Sequence, residues 1–198
     1  MNTLKAEKRT MDTKAKRLRR EGYVTGNVFG REMEGSLPVK IEKSAVEKLL
    51  KTSNKGSQIM LDVDGQSYDV LIKEIQFNPL KGQVDEIDFQ ALVSNEKVHS
   101  VAEIVLVNHD KLEAGVLQQH LEEISFRALP SALVDKIMVD VGDMKVGDVI
   151  KVKDLAIAQD KDVDLKTDLE AAVVSVAAVH VDPALEVEEE AAAEEEAK

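Results

Sequence analysis

Between Met1 and Arg31 stand nine lysines and arginines, at positions 5, 8, 9, 14, 16, 17, 19, 20 and 31, against three acids, Glu7, Asp12 and Glu21. This segment carries +6 in a chain whose total is −12, so everything after it carries −18. A cationic segment attracts phosphate and other polyanions, whereas a strongly acidic remainder repels nucleic acid from every other surface. The densest stretch is Lys14, Lys16, Arg17, Arg19 and Arg20. It is compatible with a basic helix face, a membrane-surface patch or a phosphate-binding arm. A membrane helix needs a broad apolar face, and Leu18 is the sole large apolar residue here, so polyanion binding is the preferred reading, with a solvated charged loop as the bland one. Arginine suits bidentate phosphate contacts and base edges, which singles out Arg9, Arg17, Arg19 and Arg20. Only Tyr23 and Phe29 lie near as stacking groups. That favours structured RNA read through backbone and groove over a single-strand stacking platform.

Other chemistries lack their residues. No cysteine is present, and His99, His109, His120 and His180 show no HxxxH spacing, so neither a metal site nor any other cofactor is expected. There is no GxSxG, GxGxxG or GxxxxGK[ST]. Gly22, Gly26 and Gly30 fit turn and packing roles better than a phosphate cradle. Acid pairs such as Asp85-Glu86 and Glu122-Glu123 are expected by composition alone in so acidic a chain. A non-enzyme is expected.

The elements that must position the cations follow from apolar periodicity. At 198 residues, with 43% hydrophobic but only 3% aromatic residues and no Trp, the cores must be built from Val, Ile and Leu, which points to strands. Residues 1 to 22 mix charge with small polar groups. Tyr23 to Gly30 predicts a strand interrupted at Gly26, and Leu37 to Ile41 another. Ser44 and Glu47 have capping-box spacing for a short helix through Leu50. Ile59, Leu61 and Val63 alternate up to Asp64-Gly65, and Tyr68 to Ile75 follows, which predicts a hairpin. After Asn78-Pro79, the stretch Val84 to Leu92 places Ile87, Phe89 and Ala91 on one face and Glu86, Asp88 and Gln90 on the other. Val93 to Lys97 is read as a linker. Further strands are predicted over Val101 to Val107, Ile124 to Leu129, Ile137 to Val141, Val149 to Val152 and Ala172 to Val181, with loops over Asp143 to Asp148 and Asp160 to Asp164. Residues 182 to 198 hold eight acids and one Lys and predict a solvated, disordered tail. The expected fold is mainly β with minor α: an N-terminal β-barrel domain over 1–93, a C-terminal β-rich domain over 94–181, and the acidic tail.

Several segments together resemble the bacterial Ctc family, which comprises general stress proteins and the large-subunit ribosomal protein number twenty-five that binds 5S rRNA. They are Ala6-Glu7-Lys8-Arg9, Lys16-Arg17-Leu18-Arg19, Val28-Phe29-Gly30, and Ile75 to Lys81 followed by Ile87-Asp88-Phe89. Gly115 to Gln119 and Gly147 to Ile150 complete the set. The resemblance implies an RNA-binding barrel and a second β-rich domain of the longer members. Carried over by position, the RNA surface would comprise Arg9, Lys14, Lys16, Arg17, Arg19, Arg20, Phe29, Gln76, Lys81, Glu86 and Asp88. Two positions differ from the common pattern. Phe29 stands where many members have Tyr and lacks the hydroxyl; Glu86 stands where many have His and sets an anion beside the presumed phosphate path, which is expected to weaken binding.

The leading expectation is a non-catalytic ribosomal protein of the large subunit that binds 5S rRNA through its basic N-terminal domain, contributing to translation and stress tolerance. It would be cytoplasmic and ribosome-associated, monomeric off the ribosome, with neighbouring ribosomal proteins as partners of the C-terminal domain and neither membrane nor DNA among its partners. The alternative is a diverged stress paralogue with weakened 5S rRNA binding whose C-terminal domain engages a protein.

Overall fold

The computed structural model describes residues 3–10, 12–33, 35–111, 115–160 and 162–178. The segment 182–198, and the part of the predicted Ala172 to Val181 strand beyond Ala178, lie outside the described residues.

The chain opens on a strand, β1 (Thr3–Lys8), followed by α1 (Ala15–Arg20), β2 (Tyr23–Phe29), β3 (Leu37–Glu42), α2 (Lys43–Leu50), β4 (Gln58–Val63), β5 (Gln66–Asn78) and β6 (Gln83–Ala91). The six strands close a barrel in the order β1-β3-β2-β6-β5-β4. Two parallel seams make closure possible: β1 runs beside β4, with Leu4 opposite Leu61, and β2 runs beside β6, with Val28 opposite Phe89. Alternation fills the interior with Val24, Val28, Val39, Ile41, Ile59, Leu61, Ile72, Ile87 and Phe89, all essentially inaccessible to solvent. Helix α2 adds Val46 and Leu49 to this core.

Three local features differ from expectation. Strand β1 lies in the segment given over to charge, because only Leu4 and Ala6 point inward while Lys5, Glu7 and Lys8 face out. Strand β2 passes through Gly26 without a break: a Cβ there would stand 2.0 Å from the Ile87 carbonyl oxygen, so glycine is what lets β2 and β6 approach. The capping box at Ser44 is corrected. Strand β3 runs straight into α2, Glu42 occupies the N-cap in an extended conformation with no side-chain bond, and Ser44 is already helical. The hairpin forms as predicted, with Asp64 at φ 50° and Gly65 at φ 90° in its two-residue turn.

After Lys97 come β7 (Val98–Val107), β8 (Val116–Gln119), β9 (Glu123–Ala128), β10 (Lys136–Asp140), β11 (Val149–Lys151), β12 (Val163–Leu165) and β13 (Ala172–Ala177). They form a four-stranded sheet, β10-β7-β9-β12, and a three-stranded sheet, β11-β13-β8. Ile124, Phe126, Val139, Val141, Val173 and Val174 belong to the core of this second β unit. The short strands β8 and β12 were not foreseen, and β12 takes up the end of the stretch expected to be a loop over 160–164.

The two units meet where the loop before β4 touches β7. Ser100 Oγ donates to the Gly56 carbonyl at 3.4 Å, Lys55 pairs with Glu123 at 3.2 Å, and Asn54 Nδ2 donates to Glu103. Gly56, at φ +89°, lies so close that a Cβ would stand 1.9 Å from the Val101 carbonyl oxygen.

Candidate nucleic-acid interface

The cationic segment divides among three elements. Lys5 and Lys8 belong to β1. Arg9 is pinned at the end of that strand: its backbone N–H donates to Pro38 O at 2.9 Å, its Nη2 donates to Thr13 O at 3.1 Å, and its Nε is buried without an acceptor among the described residues. Arg9 therefore braces the connection into α1 and its guanidinium is partly withdrawn from solvent. Lys14 is the extended N-cap of α1, and its carbonyl accepts from the Arg17 and Leu18 amides at 2.9 and 3.4 Å.

Helix α1 owes its orientation to two residues. Leu18 is its buried member, and Arg19 reaches across β2 to β6. The remaining side chains of the basic run, Lys14, Lys16, Arg17 and Arg20, are exposed. Arg17, Arg19 and Arg20 occupy the last turn, where the negative end of the helix dipole favours cations. Arg17 also pairs with Glu21 at 2.8 Å, but its side chain is 74% exposed, so this pair contributes little and yields readily to a stronger anion.

Arg19 is the keystone of the arrangement. Its Nε donates to the Asp85 carbonyl at 3.0 Å, while its Nη2 donates to Thr25 Oγ1 at 3.3 Å and meets Glu86 Oε2 at 3.4 Å. Thr25 sits opposite Glu86 in the parallel seam and donates its own hydroxyl to the Asp85 carbonyl at 3.4 Å. Thr25 is only 1% exposed yet lies outside the barrel core, because α1 covers it. The anion introduced by Glu86 is thus met by an arginine of the same chain rather than left to face an incoming phosphate alone.

The outer face of β5, β6 and β2 displays the expected polar triplet. Gln76 stands opposite Glu86 and Glu74 opposite Asp88, with bulges in β5–β6 pairing on either side. Asp88 Oδ1 accepts from the Asn27 backbone N–H at 3.1 Å and from Asn27 Nδ2 at 3.3 Å. One oxygen of Asp88 therefore ties β6 to β2. Phe29, opposite Gln90 at the end of β2, is 38% exposed, enough for a ring face to stack.

Lys81 lies exposed in the turn between β5 and β6, its backbone N–H donating to Asn78 O at 3.3 Å. This turn is connected to α1 through Asp85: Asn78 Nδ2 donates to Asp85 Oδ2 at 3.1 Å, and the Asp85 carbonyl receives Arg19. The Asn78 bond, aided by one from Gln83, holds the Asp85 carboxyl below its ordinary pKa of 3.8, partly opposed by desolvation. Phe77 and Leu80 on the same hairpin are 59% and 97% exposed.

Sequence reasoning missed Thr25, Asn27 and Asp85, which organise the face, and Phe77 and Leu80, which decorate its rim. The alternation of Thr25 and Asn27 with Val24, Gly26 and Val28 was the available signal. The assembled site is a ring of exposed cations at α1, with Lys81 on the hairpin, beside a sheet face of amides and carboxylates. Cations of this kind bind phosphate, amides bind base edges in either sense, and carboxylates accept from amino or 2′-hydroxyl donors. Among the described residues no group of three or more His, Asp or Glu side chains is placed to hold a metal ion. Nor is any described helix long and apolar enough to cross a membrane.

Comparison with known proteins divides the chain in the same two places as its cores. Residues 4–89 match the Ribosomal L25p family, and residues 97–180 match the C-terminal domain of ribosomal protein TL5. The large ribosomal subunit protein bL25 of Caldanaerobacter subterraneus is 31% identical over 177 residues, covering 88% of each chain. That of Listeria monocytogenes is 32% identical over 180 residues, 89% of this chain and 86% of the relative. That of Geobacillus thermodenitrificans is 35% identical over 142 residues, 71% of this chain and 67% of the relative.

Proposed function

This chain belongs to the bL25 family of large-subunit ribosomal proteins, and from that premise we propose that its barrel binds 5S rRNA through α1 and the outer face of β2, β6 and β5. A structural, non-catalytic role on the ribosome accords with that membership. The observation that carries the proposal is the three-way contact of Arg19, which fixes a cationic helix against a polar sheet face at Asp85, Thr25 and Glu86. Lys14, Lys16, Arg17 and Arg20 take backbone phosphates. Gln76, Phe29 and the free edge of the Asp88 carboxylate meet bases or ribose, and Lys81 holds the strand that passes the hairpin. Arg9 acts through the loop it braces. Phosphate contacts set register and affinity, while the sheet face supplies discrimination.

The competing reading, a stress paralogue with weakened RNA binding and a protein partner for the second β unit, drew on repulsion by Glu86. The Arg19 pair at 3.4 Å removes part of that repulsion, which favours the RNA reading. Titration of 5S rRNA at several salt concentrations tests it. Replacing Lys16, Arg17 and Arg20 together by Gln is expected to reduce the slope of log K against log salt by about 2 to 3, at roughly 0.7 to 0.9 per lost phosphate contact. An unchanged slope would remove α1 from the interface.

A further inference from the structure

The strongest feature outside this interface is the cleft where the two β units meet, with a volume of about 530 Å³. Lys55, Lys73, His99, Ser125 and Lys166 line it, with Glu74 as the one acid among its lining residues. Three lysines from three separate stretches of chain converge here, two from the barrel unit and one from the second unit. That convergence runs against the composition, because the chain after Arg31 carries −18.

The lysines are incompletely neutralised. Lys55 pairs with Glu123 at 3.2 Å. Lys73 is half-buried, and its Nζ donates to the His99 carbonyl at 2.8 Å; among the described residues it forms no ion pair with a carboxylate. The Lys166 backbone N–H donates to Ser125 O at 2.9 Å, which fixes that lysine at the cleft, and its side chain also forms no ion pair among the described residues. Burial first, and then the neighbouring Lys55, depress the Lys73 ammonium below its ordinary pKa of 10.5, so the cleft holds positive charge at a cost that an anion would offset. A partly desolvated cation cluster with hydroxyl and imidazole neighbours is the donor set that binds a tetrahedral oxyanion.

We infer that the cleft between the two β units is a phosphate-binding site, in which Lys55, Lys73 and Lys166 hold one phosphate group between the barrel and the second domain. The site is separate from the α1 interface and does not depend on the identity of the RNA bound there. Because it draws lysines from both units, the bound phosphate strengthens their contact and fixes the orientation of the second unit. The phosphate comes either from a nucleic-acid strand running past the domain junction or from a free oligophosphate.

The test uses the full chain, isotopically labelled for NMR, titrated with inorganic tripolyphosphate at constant ionic strength. The expected result is saturable shifts centred on the amides of Gly56, Lys73, His99 and Ser100. Replacing Lys73 and Lys166 together by Met should weaken that binding by about tenfold, the scale of one charge-assisted contact. Replacing Lys16 and Arg20 by Gln should leave it unchanged. Should the Lys73 variant fold poorly, Lys166→Glu alone, at an exposed side chain, is expected to abolish the saturable shifts. Non-saturating shifts spread over all cationic surfaces, or equal binding by the parent and the cleft variants, would overturn the inference. A second titration with 5S rRNA separates the sources. Shifts at the cleft amides identify a strand phosphate, and RNA binding that leaves them unmoved while tripolyphosphate moves them identifies a free anion. The tripolyphosphate titration contains no RNA, so its failure is distinct from failure of the 5S rRNA reading.

Discussion

Gly26→Ala offers a direct probe of the seam on which the RNA face is built. The added Cβ would stand 2.0 Å from the Ile87 carbonyl oxygen and 3.1 Å from its carbon, both backbone atoms with no rotamer to change. Restoring an ordinary carbon–oxygen separation of about 3.3 Å requires β2 and β6 to part by roughly 1.3 Å. That movement exceeds the tolerance of the bond from the Asn27 N–H to Asp88 Oδ1, now 3.1 Å, and strains the neighbouring ladder bonds. One or two lost hydrogen bonds at about 1 kcal/mol each, added to an overpacking cost of about 1 to 3 kcal/mol, put the destabilisation at about 2 to 4 kcal/mol. For a unit of this size that corresponds to a fall in Tm of roughly 10 to 25 °C. The assay is selective by composition. The chain has no Trp and two Tyr, Tyr23 and Tyr68, both in the barrel, so urea unfolding followed by tyrosine fluorescence reports the barrel alone. A Gly26→Ala midpoint equivalent to less than about 0.5 kcal/mol of destabilisation would refute the close approach of β2 and β6, because surface changes without such contacts stay within that range.

Two further expectations follow from the same network. Arg19→Gln should destabilise the barrel by about 1 to 2 kcal/mol in urea unfolding, and Arg19→Lys should rescue little, because a single ammonium does not span the Asp85, Thr25 and Glu86 acceptors as a guanidinium fork does; full rescue by Lys would show that charge alone matters. The depressed pKa of Asp85 stabilises the folded state above the ordinary 3.8, and that stabilisation disappears as pH falls through the lower folded value. Asp85→Asn should therefore flatten the acid limb of the barrel's stability profile below about pH 4, and an unchanged limb would locate the acid sensitivity elsewhere.

What was legible in the sequence was local. The hairpin over residues 59–75 declared itself through alternation and Asp64-Gly65, and β6 through the division of Ile87 and Phe89 from Glu86 and Asp88. Strand β1 was hidden because its outward residues are charged and only Leu4 and Ala6 mark its buried face. The capping box failed because nothing in Ser44 and Glu47 records that β3 passes directly into α2. In the candidate site, the exposed cations of α1 were readable from charge density. The roles of Arg19 and Asp88 were not, since their partners lie 66 and 61 residues away, and a strand pattern carries no record of such pairings. Glu86 shows the consequence: an isolated anion in sequence becomes half of an ion pair once α1 folds over β2.

The central claim is recognition of 5S rRNA by the cationic helix and the sheet face it covers. Competition at physiological salt between 5S rRNA and an unrelated structured RNA of similar length tests it most directly, with the parent chain and the Lys16, Arg17 and Arg20 triple variant measured side by side. The predicted result is a preference for 5S rRNA of at least about a thousandfold in the parent, the lower end of the range for specific over non-specific sites, with affinity falling in the triple variant. Equal, weak binding to both RNAs would contradict it.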